Sequence, residues 1–206
     1  MPEIIKVSVI CPTTPSREHF KSKAIDIFTS QDYPCKELIF IDEAGNIGYK
    51  RNRGCELATG QIIIHQDDDD YYAPDWISKS VKFHLQSGAD ITGLRKLYFY
   101  DIINNKSFSY QFPKEWQQYI CGATMCYKKS FWETNKFKDC QYGEDHSFSV
   151  TKKISFHDYS DGFVAMRHTN NTGGSSTNSF PFIPCETAII ENILGSQLSF
   201  YKNLYL

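Results

Sequence analysis

The chain has 206 residues, of which 41% are hydrophobic and 15% aromatic, a composition that supports a packed globular core. Its 22 basic and 24 acidic side chains give a formal net charge of −2 at pH 7. This balance lacks the basic stripe of a nucleic-acid binder, so no nucleic-acid partner is expected. No segment approaches the roughly 18 consecutive apolar residues that cross a bilayer, so no membrane span is predicted.

The cysteines indicate a reducing compartment. There are seven, an odd number, and they include no C-x-x-C pair. The closest two, Cys121 and Cys126, have no His or Cys beside them at zinc-finger spacing. Free buried thiols are therefore favoured over a disulfide framework. Residues 1–11 alternate between apolar and polar and include Glu3 and Lys6, which is typical of a strand and not of a secretion signal. A cytoplasmic location is expected.

The first half of the chain alternates between strand and helix patterns. Apolar, β-branched runs predict three buried strands, and apolar residues at spacings of three and four predict helices between them. The predicted elements are strands over residues 4–10, 37–42 and 62–65, and helices beginning near Ser16 and spanning 49–58 and 75–86. This alternation favours an α/β fold, with a mostly parallel central sheet and helices on both of its faces.

The second half is predicted to be short and mixed. Strands are expected over 91–102, 119–128 and 163–168, and helices over 144–153 and 184–198. Residues 169–179 are rich in Gly, Ser, Thr and Asn, which predicts a mobile loop. No internal repeat or linker divides the sequence, so we expect a single domain over residues 1–206.

Four consecutive aspartates, Asp67, Asp68, Asp69 and Asp70, directly follow the strand predicted over 62–65. Ligands of parallel sheets bind beyond the carboxyl ends of the strands. Clustered carboxylates repel one another unless a cation or substrate donors compensate, and hard oxygen ligands suit Mg²⁺ or Mn²⁺ bound to substrate phosphates. The alternative is a solvated acidic turn. An EF-hand is excluded, because Tyr72 stands where that loop requires glycine.

Three further motifs are ambiguous when taken alone. Asp42 ends a neighbouring strand, where it could accept hydrogen bonds from a nucleoside or simply form a turn. Glu144 and Asp145 open a short helix, where carboxylates also serve as ordinary helix-terminal charges. His168 ends a strand, and a lone histidine is more often a packing residue than a ligand. The chain contains neither G-x-G-x-x-G nor a P-loop, so dinucleotide oxidoreductases and P-loop kinases lack their fingerprints.

The order of the motifs carries more information than any one of them. In sequence they are Pro12-Thr13, Asp42, Gly48-x-x-Arg51-Asn52-x-Gly54, the four aspartates with Tyr72-x-Pro74, Gly122, Phe137, Gly143-Glu144-Asp145 and Arg167-His168-x-x-Asn171. This arrangement resembles the GT-A glycosyltransferases, and within them the inverting family 2, from Val7 to about Asn171. The resemblance implies a GT-A fold, with a nucleotide-binding half over about 1–100 and an acceptor and catalytic half over about 101–206.

The resemblance also implies a reaction and a set of site residues. The reaction is metal-dependent, inverting transfer of a sugar from a nucleotide-sugar donor, expected to be a UDP-sugar, to a hydroxyl of a glycan or glycoprotein. Asp145 would be the catalytic base, and Asp70 with His168 would hold Mn²⁺ or Mg²⁺ on the diphosphate. For the nucleotide-sugar, the implied residues are Pro12 and Thr13 beside the base, Asp42 at the uracil imide, Arg51 supporting the nucleotide pocket, and Asp68 and Asp69 near the ribose and donor sugar. The loop over 169–179 would close over the donor.

The chain departs from the family pattern between Asp42 and Gly48. Only residues 43–47 intervene where the family carries a helix and a strand, so one αβ unit is expected to be missing, and Glu43 replaces the family's second Asp. The short chain also resembles virus-encoded capsid-protein glycosyltransferases.

Two alternative functions remain from the residues themselves. A sugar-1-phosphate nucleotidyltransferase shares the architecture but requires a glycine-rich loop, and residues 12–17 contain no glycine. A non-catalytic Ca²⁺-dependent sugar-binding module would use the aspartates but would leave Glu144 and Asp145 without a role.

Overall fold

The fold is built on two sheets, here taken from a computed structural model that describes residues 4–113, 115–116, 119–171 and 182–203. The first sheet has six strands in the order β2-β1-β3-β8-β5-β9, and among them β8 alone runs antiparallel to its neighbours. The strands are β1 (Val7–Pro12), β2 (Lys36–Ile41), β3 (Ile62–His65), β5 (Ile91–Gly93), β8 (Cys126–Lys128) and β9 (Ile154–Phe156). The predicted mostly parallel central sheet is confirmed.

Helices cover both faces of this sheet because successive strand residues point to opposite sides. On one face, Val9 and Ile64 pack with Trp76, in the helix over 76–87. On the other face, Ile10 and Ile63 pack with Cys55, in the helix over 47–57. The helices are α1 (Glu18–Thr29), α2 (Ile47–Leu57), α3 (Trp76–Ser87), α4 (Lys129–Thr134), α5 (Glu144–Ser149), α6 (Thr187–Leu194) and α7 (Leu198–Asn203). In the part of the chain that the structure covers, none of them has both the length and the apolar character that crossing a membrane demands.

The second sheet has five strands in the order β11-β7-β6-β10-β4. They are β4 (Tyr71–Tyr72), β6 (Lys96–Asp101), β7 (Lys106–Gln111), β10 (Phe163–Arg167) and β11 (Ile183–Pro184). β4 directly follows the four aspartates and pairs antiparallel with β10, which leads into His168. This sheet therefore holds residues 67–70, here called the acidic segment, close to His168, although Asp69 and His168 are 99 positions apart in the sequence.

Several predicted elements of the second half are corrected by the structure. The strand predicted over 91–102 is two strands, β5 and β6, which belong to different sheets. The strand predicted over 119–128 is confined to β8, because Gly122–Thr124 forms a 3₁₀ turn. The helix predicted from residue 184 begins at Thr187 and ends at Leu194, before Gly195 with φ of 51°. The helix predicted over 144–153 ends at Ser149. Of the predicted loop over 169–179, residues 172–179 lie outside the described residues.

The shortened segment after Asp42 leaves β2 at the edge of the first sheet, joined to α2 by residues 42–46 alone. Glycines then allow α2 to pack closely. A Cβ on Gly54 would lie 2.8 Å from Ile41 Cδ1, and a Cβ on Gly48 would lie 1.8 Å from the Lys138 carbonyl oxygen. The two glycines of the Gly-x-x-Arg-Asn-x-Gly block are therefore packing requirements, and they set where the residues between them lie.

Candidate active site

The acidic segment lies where the carboxyl ends of β1 and β3 meet, next to the turn that follows β1. Asp68 is buried and faces that turn. Thr13 Oγ1 donates to Asp68 Oδ2 at 2.5 Å, and Arg17 Nε donates to the same oxygen at 3.0 Å. Arg17 Nη2 also lies 2.6 Å from Asp68 Oδ1. A guanidinium fork therefore holds this carboxylate in two-point geometry.

Asp69 receives three donors on a single oxygen, Oδ2. Arg17 Nη2 lies 2.6 Å from it, His168 Nε2 2.8 Å and Asn171 Nδ2 3.1 Å. Burial raises the pKa of Asp69, but the hydrogen bond from His168 and the charge of Arg17 outweigh it, so the net shift is downward. Because the Asn170 N–H donates to His168 Nδ1, the proton of the imidazole is on Nε2. Asp69 is thus a buried carboxylate whose pKa is held low by the His168 N–H and the Arg17 guanidinium.

Asp70 is directed away from Arg17 and His168, and it binds the second sheet instead. Its Oδ1 accepts the backbone N–H of Met166 in β10 at 2.8 Å, and the side chain is buried. Burial raises the pKa of Asp70 well above its usual range, and the neighbouring carboxylates add to the shift. Asp67, by contrast, is half-buried, and burial raises its pKa to about 6 against the opposing charge of Arg51. Four adjacent aspartates therefore occupy four different environments.

A buried ion pair lies behind the Glu-Asp motif. Arg51 Nη1 and Glu144 Oε1 are 2.5 Å apart, with side chains only 5% and 7% exposed. Burial lowers the pKa of Arg51, but Glu144 and the other nearby carboxylates raise it by more, so the net shift is upward and the guanidinium stays charged. The pair joins α2 to the first turn of α5. The contacts described for Arg51 are thus on the side of the Glu-Asp motif, whereas its role in the nucleotide pocket remains a prediction.

Asp145 is the accessible member of the Glu-Asp motif. It is half-buried, and its Oδ1 accepts the N–H of His146 at 2.7 Å. A Cβ on Gly122 would lie 3.0 Å from Asp145 Oδ2 and 2.7 Å from Arg51 Nη2, so only glycine allows both side chains to approach here. The ring of Tyr119 stacks on His146 with centroids 4.3 Å apart. Within the described part of the chain, no hydrogen bond reaches Asp145 Oδ2, which lies beside Gly122.

The predicted base pocket lies at the ends of β1 and β2, where Pro12 pairs with Ile41. The Thr13 N–H donates to the Ile41 carbonyl at 3.0 Å, and Lys50 Nζ donates to the Thr13 carbonyl at 2.5 Å. Asp42 follows β2 with a side chain that is 54% exposed, 3.8 Å from Lys21 Nζ. The structure thus brings Thr13 and Asp42 to one sheet edge, as predicted, and leaves the Asp42 carboxylate open to solvent.

Three residues of the site were missed by reasoning from the sequence: Arg17, Lys50 and Asn171. For Arg17 a signal existed, because four adjacent carboxylates require a nearby cation and the turn after β1 must face the turn after β3 in a parallel sheet. Lys50 and Asn171 stood beside or inside quoted motifs, but each acts through a contact with a distant backbone or carboxylate group. Such contacts leave no local pattern in a sequence.

Asp69 and His168 are the side chains to consider as ligands of a divalent cation. In the ranges the structure describes, no group of three His, Cys, Asp or Glu side chains could hold a metal ion. Asp69 and His168, however, are a buried carboxylate and an imidazole with ligand atoms 2.8 Å apart. Mg²⁺ and Mn²⁺ sites commonly use one or two protein ligands together with substrate phosphates and water. The residues present therefore fit a cation that a bound diphosphate completes.

Comparisons with known proteins define the class and then the family. Solved structures place the fold among the GT-A glycosyltransferases. S. aureus TarS 1–349 in complex with UDP-GlcNAc aligns with a TM-score of 0.61 at 13% identity, covering 97% of this chain and 73% of that one. A second structure of TarS 1–349 aligns with a TM-score of 0.58 at 15% identity, covering 79% of this chain and 60% of that one. The mannosyltransferase PcManGT from Pyrobaculum calidifontis, with GDP-Man and Mn²⁺, gives 0.57 at 15% identity, covering 84% and 59%.

The profile of Glycosyl transferase family 2 matches residues 16–167. The chain belongs to this family. A search of curated proteins returned no match. The alignments cover 60% and 73% of the two TarS 1–349 chains and 44% of full TarS. At these identities the structural likeness establishes the fold, while donor, acceptor and metal must be argued from the site.

Proposed function

We propose that the protein transfers a sugar from a UDP-sugar to a hydroxyl of a glycan or glycoprotein acceptor, with inversion at the anomeric carbon and with a divalent cation. The observation that carries the proposal is that carboxylates of two distant segments act on one buried cation: the charges of Asp67, in the aspartate run after β3, and of Asp145, beside Gly122, both raise the pKa of Arg51. The TarS complexes with UDP and UDP-GlcNAc support a uridine nucleotide, and the Mn²⁺ of PcManGT supports a cation.

Asp69 and His168 are the residues that would hold Mn²⁺ or Mg²⁺. Asp69 is favoured over Asp70 because Asp69 Oδ2 lies 2.8 Å from His168 Nε2, whereas Asp70 Oδ1 is directed to the Met166 N–H. We therefore move the proposed carboxylate ligand from Asp70 to Asp69 and retain His168. The cation would neutralise charge that develops on the leaving diphosphate. Binding at His168 Nε2 would require the imidazole proton to lie on Nδ1, which would break the hydrogen bond that Nδ1 now accepts from the Asn170 N–H.

Asp145 is proposed as the general base. Its Oδ2 is free of the His146 hydrogen bond and faces Gly122, so it can accept the proton of an acceptor hydroxyl as that oxygen attacks. A single in-line displacement inverts the anomeric configuration. Glu144 is not available for this task, because it is buried against Arg51. Its proposed role is to fix α5, and with it Asp145, against α2.

The base of the nucleotide is proposed to lie between Thr13 and Asp42. An exposed carboxylate at this position can accept the imide proton of uracil, whereas it would face the unprotonated N3 of cytosine. Guanine also offers a ring N–H donor, and PcManGT binds GDP-Man, so GDP is the necessary competitor in any test. The proposal places residues of the first half, about 1–100, around the nucleotide and those of about 101–206 around the acceptor, within one domain.

Thermal denaturation with a panel of nucleoside diphosphates tests the proposal. With Mn²⁺ present, UDP should raise the melting temperature more than GDP or CDP, because a ligand of the native state stabilises it by RT ln(1 + [L]/Kd). Asp42→Asn should reduce the preference for UDP over CDP, whereas Glu56→Gln, an exposed change at the far end of α2, should not. Equal shifts with all three nucleotides would refute the uridine assignment. The absence of any nucleotide shift would refute the proposed donor class.

A further inference from the structure

Arg17 occupies the centre of the acidic segment. One guanidinium nitrogen, Nη2, lies 2.6 Å from both Asp68 Oδ1 and Asp69 Oδ2, and Nη1 donates to the Asn170 carbonyl at 2.8 Å. The side chain is only 12% exposed. It is presented by the 3₁₀ turn Pro15–Arg17 that follows β1. Arg17 therefore ties the nucleotide side of the site to the segment that begins at His168.

This placement puts Arg17 in direct competition with the proposed cation. Asp69 Oδ2 is the oxygen that faces His168, and Arg17 lies on that same oxygen. Two positive groups about 4 Å apart in a partly buried site repel each other strongly. A cation bound between Asp69 and His168 would therefore displace the guanidinium from Asp69. The hydrogen bond from Arg17 Nε to Asp68 Oδ2 would keep the side chain nearby.

We infer that Arg17 is the resident counter-ion of the acidic segment, which a divalent cation displaces from Asp69 and which then pairs with the donor diphosphate. This inference rests on the proposed function. The guanidinium is planar, and its fork matches a phosphate as well as a carboxylate. Arg17 lies four residues after Thr13, which borders the proposed nucleotide site, so the diphosphate is the anion within its reach. Cation and nucleotide should each favour the binding of the other through this residue.

Mn²⁺ binding without turnover tests the inference. Free Mn²⁺ is measured by electron paramagnetic resonance, with and without UDP, for the wild type and for Arg17→Met. Without UDP, Arg17→Met should bind Mn²⁺ at least about tenfold more tightly, because the competing charge is gone. At saturating Mn²⁺, the same variant should bind UDP about tenfold or more weakly, because the diphosphate has lost its partner. A purely structural role for Arg17 would weaken both affinities together.

Three further variants keep the test decisive. Arg17→Lys retains the charge without the planar fork, and its Mn²⁺ affinity should lie between those of the wild type and Arg17→Met. If Arg17→Met does not fold because Asp68 is left unpaired, Arg17→Met/Asp68→Asn removes that carboxylate and should still bind Mn²⁺ more tightly than Asp68→Asn alone. Arg53→Met removes an equal charge from the exposed side of α2 and should leave both affinities within twofold.

The outcomes separate this inference from the proposed function. The counter-ion role alone is overturned if the wild type binds Mn²⁺ with UDP and the Arg17 variants bind Mn²⁺ without UDP no more tightly than the wild type does. Wild-type protein that binds no Mn²⁺ in either condition overturns both this role and the proposed metal dependence.

Discussion

The ion pair between Arg51 and Glu144 yields the sharpest prediction about how the site is built. Both side chains are almost fully buried, and their charged atoms are 2.5 Å apart. Breaking a buried pair by removing one partner destabilises a protein by about 3–5 kcal/mol, since the remaining charge is left uncompensated. Glu144→Gln retains a hydrogen-bond acceptor, so we expect the lower end, about 3 kcal/mol, and a similar loss for Arg51→Met.

The double variant should be far less destabilised than the sum of the two. Arg51→Met/Glu144→Gln removes the charges of both partners of the pair, so the coupling energy should be about 2–3 kcal/mol. Urea unfolding, followed by tryptophan fluorescence at pH 7.5, measures each free energy of unfolding. The matched control is the exposed pair of Arg53, which also lies on α2, and Glu43. Its two single variants should show additive losses of unfolding free energy. Additive losses for Arg51 and Glu144 as well would refute the buried-pair reasoning.

Three further changes should have separable effects. Asp145→Asn should lower transfer by about 10²–10⁴ while UDP affinity, measured by calorimetry, changes only a few-fold; a near-wild-type rate would remove Asp145 as the base. Gly48→Ala should lower the free energy of unfolding by about 1–3 kcal/mol, because the new Cβ would lie 1.8 Å from the Lys138 carbonyl; an unchanged urea midpoint would contradict this packing. Burial lowers the pKa of His84 to about 4, so the unfolded chain binds its proton first as the pH falls. His84 alone should then cost about 3 kcal/mol of stability between pH 6.5 and 4, and His84→Gln should reduce the total decline by about that amount.

The first half of the fold was predictable because its signals are local. The strands β1, β2 and β3 are apolar runs that end at polar residues, and α1 shows apolar spacings of three and four. The second half depends on distant partners. The segment from Ile91 to Asp101 reads as one strand, yet Leu94 leaves the first sheet to donate its N–H to Thr124 Oγ1. No property of the segment itself indicates that break.

The candidate site shows the same division. The sequence locates the four aspartates and the Glu-Asp motif, because both stand at the start or end of recognisable elements. It does not distinguish Asp69 from Asp70, since their difference arises from β10, where Met166 takes one carboxylate and His168 takes the other almost a hundred residues later. Nor does it identify Arg17, whose role comes from the approach of two turns.

Calorimetric titration of UDP, in saturating Mn²⁺ and in chelator, tests the proposed metal-dependent use of a nucleotide donor most directly. We predict that Mn²⁺ raises the UDP affinity of the wild type at least about tenfold, which is about 1.4 kcal/mol. Asp69→Asn should abolish that increase, and Asp70→Asn should retain it where the variant folds, because Asp70 is bound to the Met166 N–H. Equal UDP affinity with and without Mn²⁺ in the wild type would contradict the proposed site.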